Sequence, residues 1–227
     1  MSPTPSTGRM CFETVWQRPS IRSGSIRRRR LNAAFRAGSA RDEGDWVYHR
    51  FVFVFPLLAI LVQSLTGATV DALQAPDGTR AIVFLFTSTD CPISNRYAPE
   101  VRRIAQAFTS KGVVFRLVYP NSAEDAATIR EHMAAFSYAG DAQALRDPTH
   151  ALVKFVGATV TPEAVVWAGG RVVYRGRIDD RYVDLGVERP APTRHDLADA
   201  LTASLGGKPV PHPTTQAVGC FISDFAR

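Results

Sequence analysis

"AIVFLFTSTDCPISNRYAPEV", residues 81–101, is the stretch from which the rest of the chain can be read. Ala81 to Ser88 is an apolar, β-branched and aromatic run with no polar alternation, which predicts a strand buried on both faces. Asp90 stands where a helix cap is expected, and Pro92 suits the first helical position. Ile93, Tyr97, Val101, Ile104, Ala105 and Phe108 then recur at helical spacing and predict one face turned to a core. Cys91 falls at the junction. A thiol there meets unpaired N–H groups and the positive end of the helix dipole, which brings a cysteine from about 8.5 into the range of roughly 3.5–7.5. The other reading of the same residue is a small hydrophobe packed in a core.

Outward from this unit the pattern is regular. Lys111-Gly112 ends the helix, and "VVFRLVYPN", residues 113–121, is a second buried strand. Ser122 is expected to open a helix over 122–137 with acidic residues in its first turn. Thr149 to Phe155 reads as a short helix before Gly157. "PEAVVWAGGRVVYRG", residues 162–176, reads as a hairpin turning at Gly169-Gly170. Residues 193–207 read as a last helix, capped by Thr193 and stopped by Gly206-Gly207. The fold class is α/β, a mixed central sheet flanked by helices over residues 73–207. Residues 208–227, proline-rich and then apolar around Cys220, predict an extended strap lying on the domain.

This ordered set resembles the thioredoxin superfamily, in its redoxin or peroxiredoxin-like branch, across roughly residues 75–205. The resemblance rests on the buried strand leading to Cys91, on Pro99 eight residues later, and on Val160-Thr161-Pro162 directly before the hairpin. It implies a thioredoxin-like fold and a cis Thr161-Pro162 bond beside the thiol. It further implies a thiol oxidoreductase with Cys91 as nucleophile, acting on a disulfide or peroxide, and it implies no cofactor. Ser88 matches the hydroxyl three residues before a peroxidatic cysteine. Pro92, Thr161 and Pro162 would face the substrate. The chain also departs from the pattern: Ser94 replaces the second cysteine of a CxxC pair, Leu85 replaces the buried acid, and Phe84 replaces the peroxiredoxin proline. Those losses leave open a non-catalytic binding module that uses the groove beside Pro162. Cys220 is expected either as the resolving thiol or as part of a hydrophobic anchor.

Residues 1–50 hold 10 Arg and 4 acidic residues, whereas residues 51–227 hold 17 basic and 17 acidic residues. The excess positive charge therefore lies in the leader, and the body has no electrostatic footprint for nucleic acid. Residues 1–49 show no periodicity that would bury a face and are expected to be disordered. Residues 50–72, a basic residue followed by the apolar run Phe51–Val62 and small residues, have the layout of a signal peptide cleaved after Ala68 or Ala72, or of a retained anchor. A start at Val47 would place that leader at the N-terminus, and a bipartite transit peptide is the competing reading. Export, to the periplasm or outside the cell, and an external thiol reductant or protein disulfide as partner follow from this reading. His132, His150, His195 and His212 show no metal-ligand spacing with either cysteine, and a surface or capping role is expected for each. Arg175, Arg177 and Arg181 offer cations for a thiolate, or else a solvated edge paired with Asp179, Asp180 and Asp184.

Overall fold

The computed structural model describes residues 59–138, 140 and 142–223. The readings for residues 1–49 and for most of the apolar run lie outside them. Strand β3, Ala81–Phe86, is buried at every position, as the unbroken apolar run requires. Ala81, Val83 and Leu85 point into one core and Ile82, Phe84 and Phe86 into another, so the sheet is covered on both sides.

Helix α1, Pro92–Thr109, lies on the first side, and every position expected on its buried face is buried. Strand β4, Val113–Tyr119, pairs parallel with β3. Helix α2, Ala126–Ala135, is shorter than expected. Its cap is Asp125, whose carboxylate accepts from the Thr128 N–H at 2.8 Å, and its first turn holds no acid. Ser122 therefore does not open this helix. Residues 121–124 form a turn that leaves Glu124 buried instead of on a helix surface.

Strand β5, Gln143–Arg146, pairs parallel with β4, and helix α3, Ala151–Val156, covers the second core. A short β6, Val160–Thr161, leads to the expected hairpin of β7, Glu163–Ala168, and β8, Arg171–Gly176. Gly169 and Gly170 both have positive φ, which a two-residue hairpin turn of this kind requires. After the small pair β9, Tyr182–Asp184, and β10, Val187–Glu188, helix α4, Asp196–Leu205, closes the first side. Thr193 does not cap it. Its hydroxyl and N–H are drawn to the Asp180 carboxylate, the hydroxyl at 2.5 Å, and His195 occupies the cap position without a side-chain bond.

The N-terminal boundary needs a larger correction. Leu61–Ser64 is strand β1 and Thr69–Asp71 is strand β2, and the seven-stranded sheet runs β2-β1-β5-β4-β3-β7-β8. Val62 and Ala72 are buried in the second core, and Arg116 of β4 reaches across to the carbonyls of Ala72 and Gln74. Cleavage after Ala68 would remove β1, and cleavage after Ala72 would remove both strands and one of the two carbonyls that hold Arg116. The sheet accordingly takes in the Leu61–Asp71 hairpin, which lies within the stretch read as leader. A half-buried edge hairpin and the end of a signal peptide share one composition, apolar residues followed by small ones. The resulting architecture is the thioredoxin-like α/β fold expected, a mixed sheet flanked by helices with a C-terminal strap.

Candidate active site

Cys91 is itself the cap residue of α1, in extended backbone, with Pro92 following at the first helical position. Asp90 is exposed and does not cap; its carboxylate accepts from the Ser88 hydroxyl. The Cys91 side chain is 1% exposed, and its Sγ lies 3.0 Å from the carbonyl oxygen of Thr161. The Thr161-Pro162 bond is cis. Glu163 holds this loop: one carboxylate oxygen accepts from the N–H groups of Thr159 and Val160, the first at 2.7 Å, while the other approaches Arg175 at 3.6 Å.

The strap completes the site. From α4 it runs beside β8, where Thr214 bridges Arg175, the Arg175 N–H donates to Pro213 and the Thr215 N–H donates back to Arg175 at 3.0 Å. It then turns over the cis loop as strand β11, Cys220–Phe221, antiparallel to β6, with Cys220 directly opposite Thr161. Cys91 and Cys220 are both free thiols, and both flank Thr161: the Cys91 sulfur approaches its carbonyl, and Cys220 pairs opposite it in register. Gly219 makes this approach possible. A Cβ there would fall 2.1 Å from the Thr161 carbonyl oxygen and 3.0 Å from the Pro162 nitrogen. Phe221, next to Cys220 in the apolar part of the tail, is 81% exposed and does not anchor it. Ile222 takes that part, packing on the second core and donating its N–H to Thr159 at 2.9 Å.

The two thiols are tuned in opposite directions. Burial alone would raise the Cys91 thiol, but the hydroxyl and N–H of Ser94, then Cys220 and Thr161, stabilise its thiolate and bring it below the ordinary thiol range. The Ser94 hydroxyl is buried and has no hydrogen-bond partner among the described residues. Cys220 is pushed up to about 11, first by partial burial of its sulfur although the residue is exposed, then by its bond to Cys91 and the charges of Cys91 and Asp90. Cys91 is therefore the thiol that ionises first, and Cys220 is the one that keeps its proton.

Among the expected site residues, the structure brings Cys91, Ser94, Thr161, Pro162 and Cys220 together and places Pro92 exposed at the mouth of the helix. Ser88 lines a cleft of about 210 Å³ with Asp90, His150, Thr161 and Cys220. Arg175 and Arg177 are engaged away from the thiol. Arg175 binds Glu163 and the Gly157 carbonyl, and Arg177 pairs with Asp196 at 2.7 Å. Asp180 pairs with Arg189 and accepts from Thr193 and Arg194, so the expected Asp–Arg edge uses other partners.

Glu124 was missed as part of the site. Its buried carboxylate accepts from the Ser88 hydroxyl at 2.8 Å, the Thr89 N–H at 2.6 Å and the Thr89 hydroxyl at 2.8 Å. The available signal was its place just past the C-terminal end of a buried parallel strand, where open α/β sheets gather ligands. His132 is buried instead of surface-exposed, and His150, also buried, occupies the cap position of α3 without a side-chain capping bond. His132 Nε2 donates to Asn95 Oδ1 at 2.8 Å, since the Asn95 amide donates to the Thr89 carbonyl, and Nδ1 accepts from Tyr119 at 3.0 Å. This neutral ring supports the loop that carries Ser88, Thr89 and Asp90.

Burial holds His132 below its ordinary value. The unfolded chain, with a histidine near 6.5, therefore binds the proton first, and this stabilising contribution is full above about pH 6.5 and is lost as pH falls toward the folded value. Chemical denaturation of the wild type should lose up to about 1.4 kcal/mol per pH unit in that window. His132→Gln should lose less over the same range, and equal slopes would rule out the buried neutral ring.

No protein-family profile matches the chain, and no curated protein matches it. Solved structures do. An uncharacterized conserved protein from Geobacillus kaustophilus is 24% identical over 75% of this chain and 90% of its own, with a TM-score of 0.63. A hypothetical protein from Sinorhizobium meliloti is 23% identical over 75% of this chain and 93% of its own, also with a TM-score of 0.63. A thioredoxin-like protein from Aeropyrum pernix is 11% identical over 66% of this chain and 89% of its own, with a TM-score of 0.46. At these identities the likeness is one of fold.

Proposed function

We propose that this chain is a thiol oxidoreductase in which Cys91 is the nucleophile and Cys220, delivered by the C-terminal strap, is the resolving thiol. The observation that carries the reading is the pairing of β11 with β6, which sets Cys220 opposite Thr161, the residue whose carbonyl the Cys91 sulfur approaches at 3.0 Å. The Cys91 thiolate attacks a peroxide, forming a sulfenic acid and releasing the alcohol or water. Alternatively it attacks a disulfide, forming a mixed disulfide and releasing a thiol. Cys220 then displaces the leaving group to give a Cys91–Cys220 disulfide, which an external thiol reduces. A thiol that is 1% exposed suits an oxidant as small as a peroxide, whereas a protein disulfide requires the strap to lift. Peroxide reduction, and with it an antioxidant role, is the reading the enclosed thiol favours.

The binding-module alternative loses its groove, because β11 already fills the edge beside Pro162. Export belongs to this proposal. It rests on the basic residue and apolar run ahead of residue 59, with the end of the leader moved upstream of β1. Among the described residues no helix is long and apolar enough to cross a membrane.

The test is intact mass before and after one equivalent of hydrogen peroxide, followed by non-reducing peptide mapping. The expected product is two hydrogens lighter and yields a Cys91–Cys220 peptide. Oxidised Cys91 with no such peptide would assign resolution to an outside thiol and leave Cys220 an anchor.

A further inference from the structure

The cleft that Cys220 lines carries a chain of oxygens that neither step above has used. Ser88 Oγ lies between two carboxylates, in contact with Asp90 on one side and 2.8 Å from Glu124 Oε1 on the other. A hydroxyl has one hydrogen and can donate to only one of them at a time. When Asp90 is ionised, one of these contacts lacks a proton. When Asp90 takes up a proton it can donate to Ser88 Oγ, Ser88 donates to Glu124, and every contact in the row is satisfied. Glu124 is 5% exposed and fixed by both donors of Thr89, while its Oε2 has no partner among the described residues. The row is therefore anchored in the protein at Glu124 and open to the cleft at Asp90.

Asp90 and Cys220 line the same cleft, and Cys220 must lose a proton before it can attack. The other titratable side chain lining it is His150, whose Nε2–H is engaged by the Pro120 carbonyl at 3.0 Å. We propose that Asp90, positioned by Ser88 and Glu124, is the base that takes the proton from Cys220 as the Cys91–Cys220 disulfide closes. The proposal rests on Cys220 being the resolving thiol.

In the closing step the Cys220 S–H proton passes to the Asp90 carboxylate and the Cys220 sulfur bonds to the Cys91 sulfur. The S–O bond of the sulfenic acid breaks, and the departing hydroxide takes the proton from Asp90 and leaves as water. The two cysteines have together lost two electrons to the peroxide. If the first oxidant is a disulfide, the departing group is its second thiolate, which takes the same proton. Asp90 ends the step as it began, and it stands in for the buried acid whose position is Leu85 in this chain.

The test is the decay of the sulfenic acid to the internal disulfide, followed by rapid quench and mass after one equivalent of hydrogen peroxide, across a range of pH. In the wild type the closing rate should be nearly independent of pH around neutrality. In Asp90→Asn it should fall by about 10²-fold near neutrality and rise in proportion to hydroxide as Cys220 ionises unaided toward its own value of about 11. Asp90→Glu should restore most of the rate, and Ser88→Ala should show an intermediate profile. An unchanged profile in Asp90→Asn, a fall of equal size at every pH, or the hydroxide-dependent profile arising in His150→Asn instead would overturn the assignment. A wild type that forms no Cys91–Cys220 disulfide would overturn both this and the proposed function. Normal closing in Asp90→Asn would overturn this alone.

Discussion

Cys91→Ser is expected to lose peroxide consumption by about 10³-fold or more, whereas Cys220→Ser is expected to consume one equivalent and stop. The asymmetry follows from the environment of each thiol. Cys91 sits at the N-terminus of α1 and is stabilised as a thiolate by Ser94, while Cys220 is held protonated by partial burial and by the negative charges facing it. Serine cannot replace a thiolate here, because an alcohol in the same place stays protonated. In Cys220→Ser the first oxidation remains possible, and the product should be one oxygen heavier and trapped at the sulfenic acid unless an outside thiol removes it. The measurement is peroxide consumed per protein, with intact mass as the second readout. Equal loss in both variants would mean that the two thiols act as one unit from the first step. Full turnover in Cys220→Ser with a small thiol present would move resolution off the strap.

Gly219→Ala is expected to slow disulfide closing by about 10²-fold, the scale on which misplacement of a reacting group by about 1 Å acts. The added Cβ meets backbone atoms of Thr161 and Pro162 that the cis loop and Glu163 hold in place, so the strap must move and the loop will not. Glycine is required there for space and not for a left-handed backbone. The strap should lift from β6, and Cys91, now 1% exposed, should become more accessible. Faster alkylation of Cys91 together with slower closing is the expected signature. Slower closing with unchanged alkylation would point to a local change in Cys220 geometry, and neither change would show that the strap is not seated through Gly219.

Much of this was legible in the chain. The unbroken run Ala81–Phe86 demands a strand covered on both sides, and the α1 spacing selects the face that is buried. The Gly169-Gly170 pair demands a tight hairpin. These are local requirements, set by side-chain period and backbone freedom within a few residues. The position of Cys91 at a strand-to-helix junction is equally local, and so is its exposure to the helix dipole.

The errors fall where one local pattern serves two environments. Ser122 and Thr193 are good caps by composition, yet Asp125 takes the first cap and Asp180 draws Thr193 away from the second. Leu61–Ser64 reads as leader because a short strand is recognised by the partner that joins it to the sheet, here β5, which lies some eighty residues further on in sequence.

The sequence by itself determined the fold class, the core-facing positions of the main strand and helix, and which cysteine begins a helix, because each depends on neighbours along the chain. The tertiary structure decided that Cys220 faces Cys91, that Glu124 turns inward beneath Ser88, and that His132 is a buried neutral ring. Those outcomes depend on contacts between segments distant in sequence, whose free energy comes from burial and hydrogen bonding once the sheet is assembled. A strap with glycine in the one position that lets it lie against the cis loop is a tertiary fit, and no periodicity in the tail encodes it.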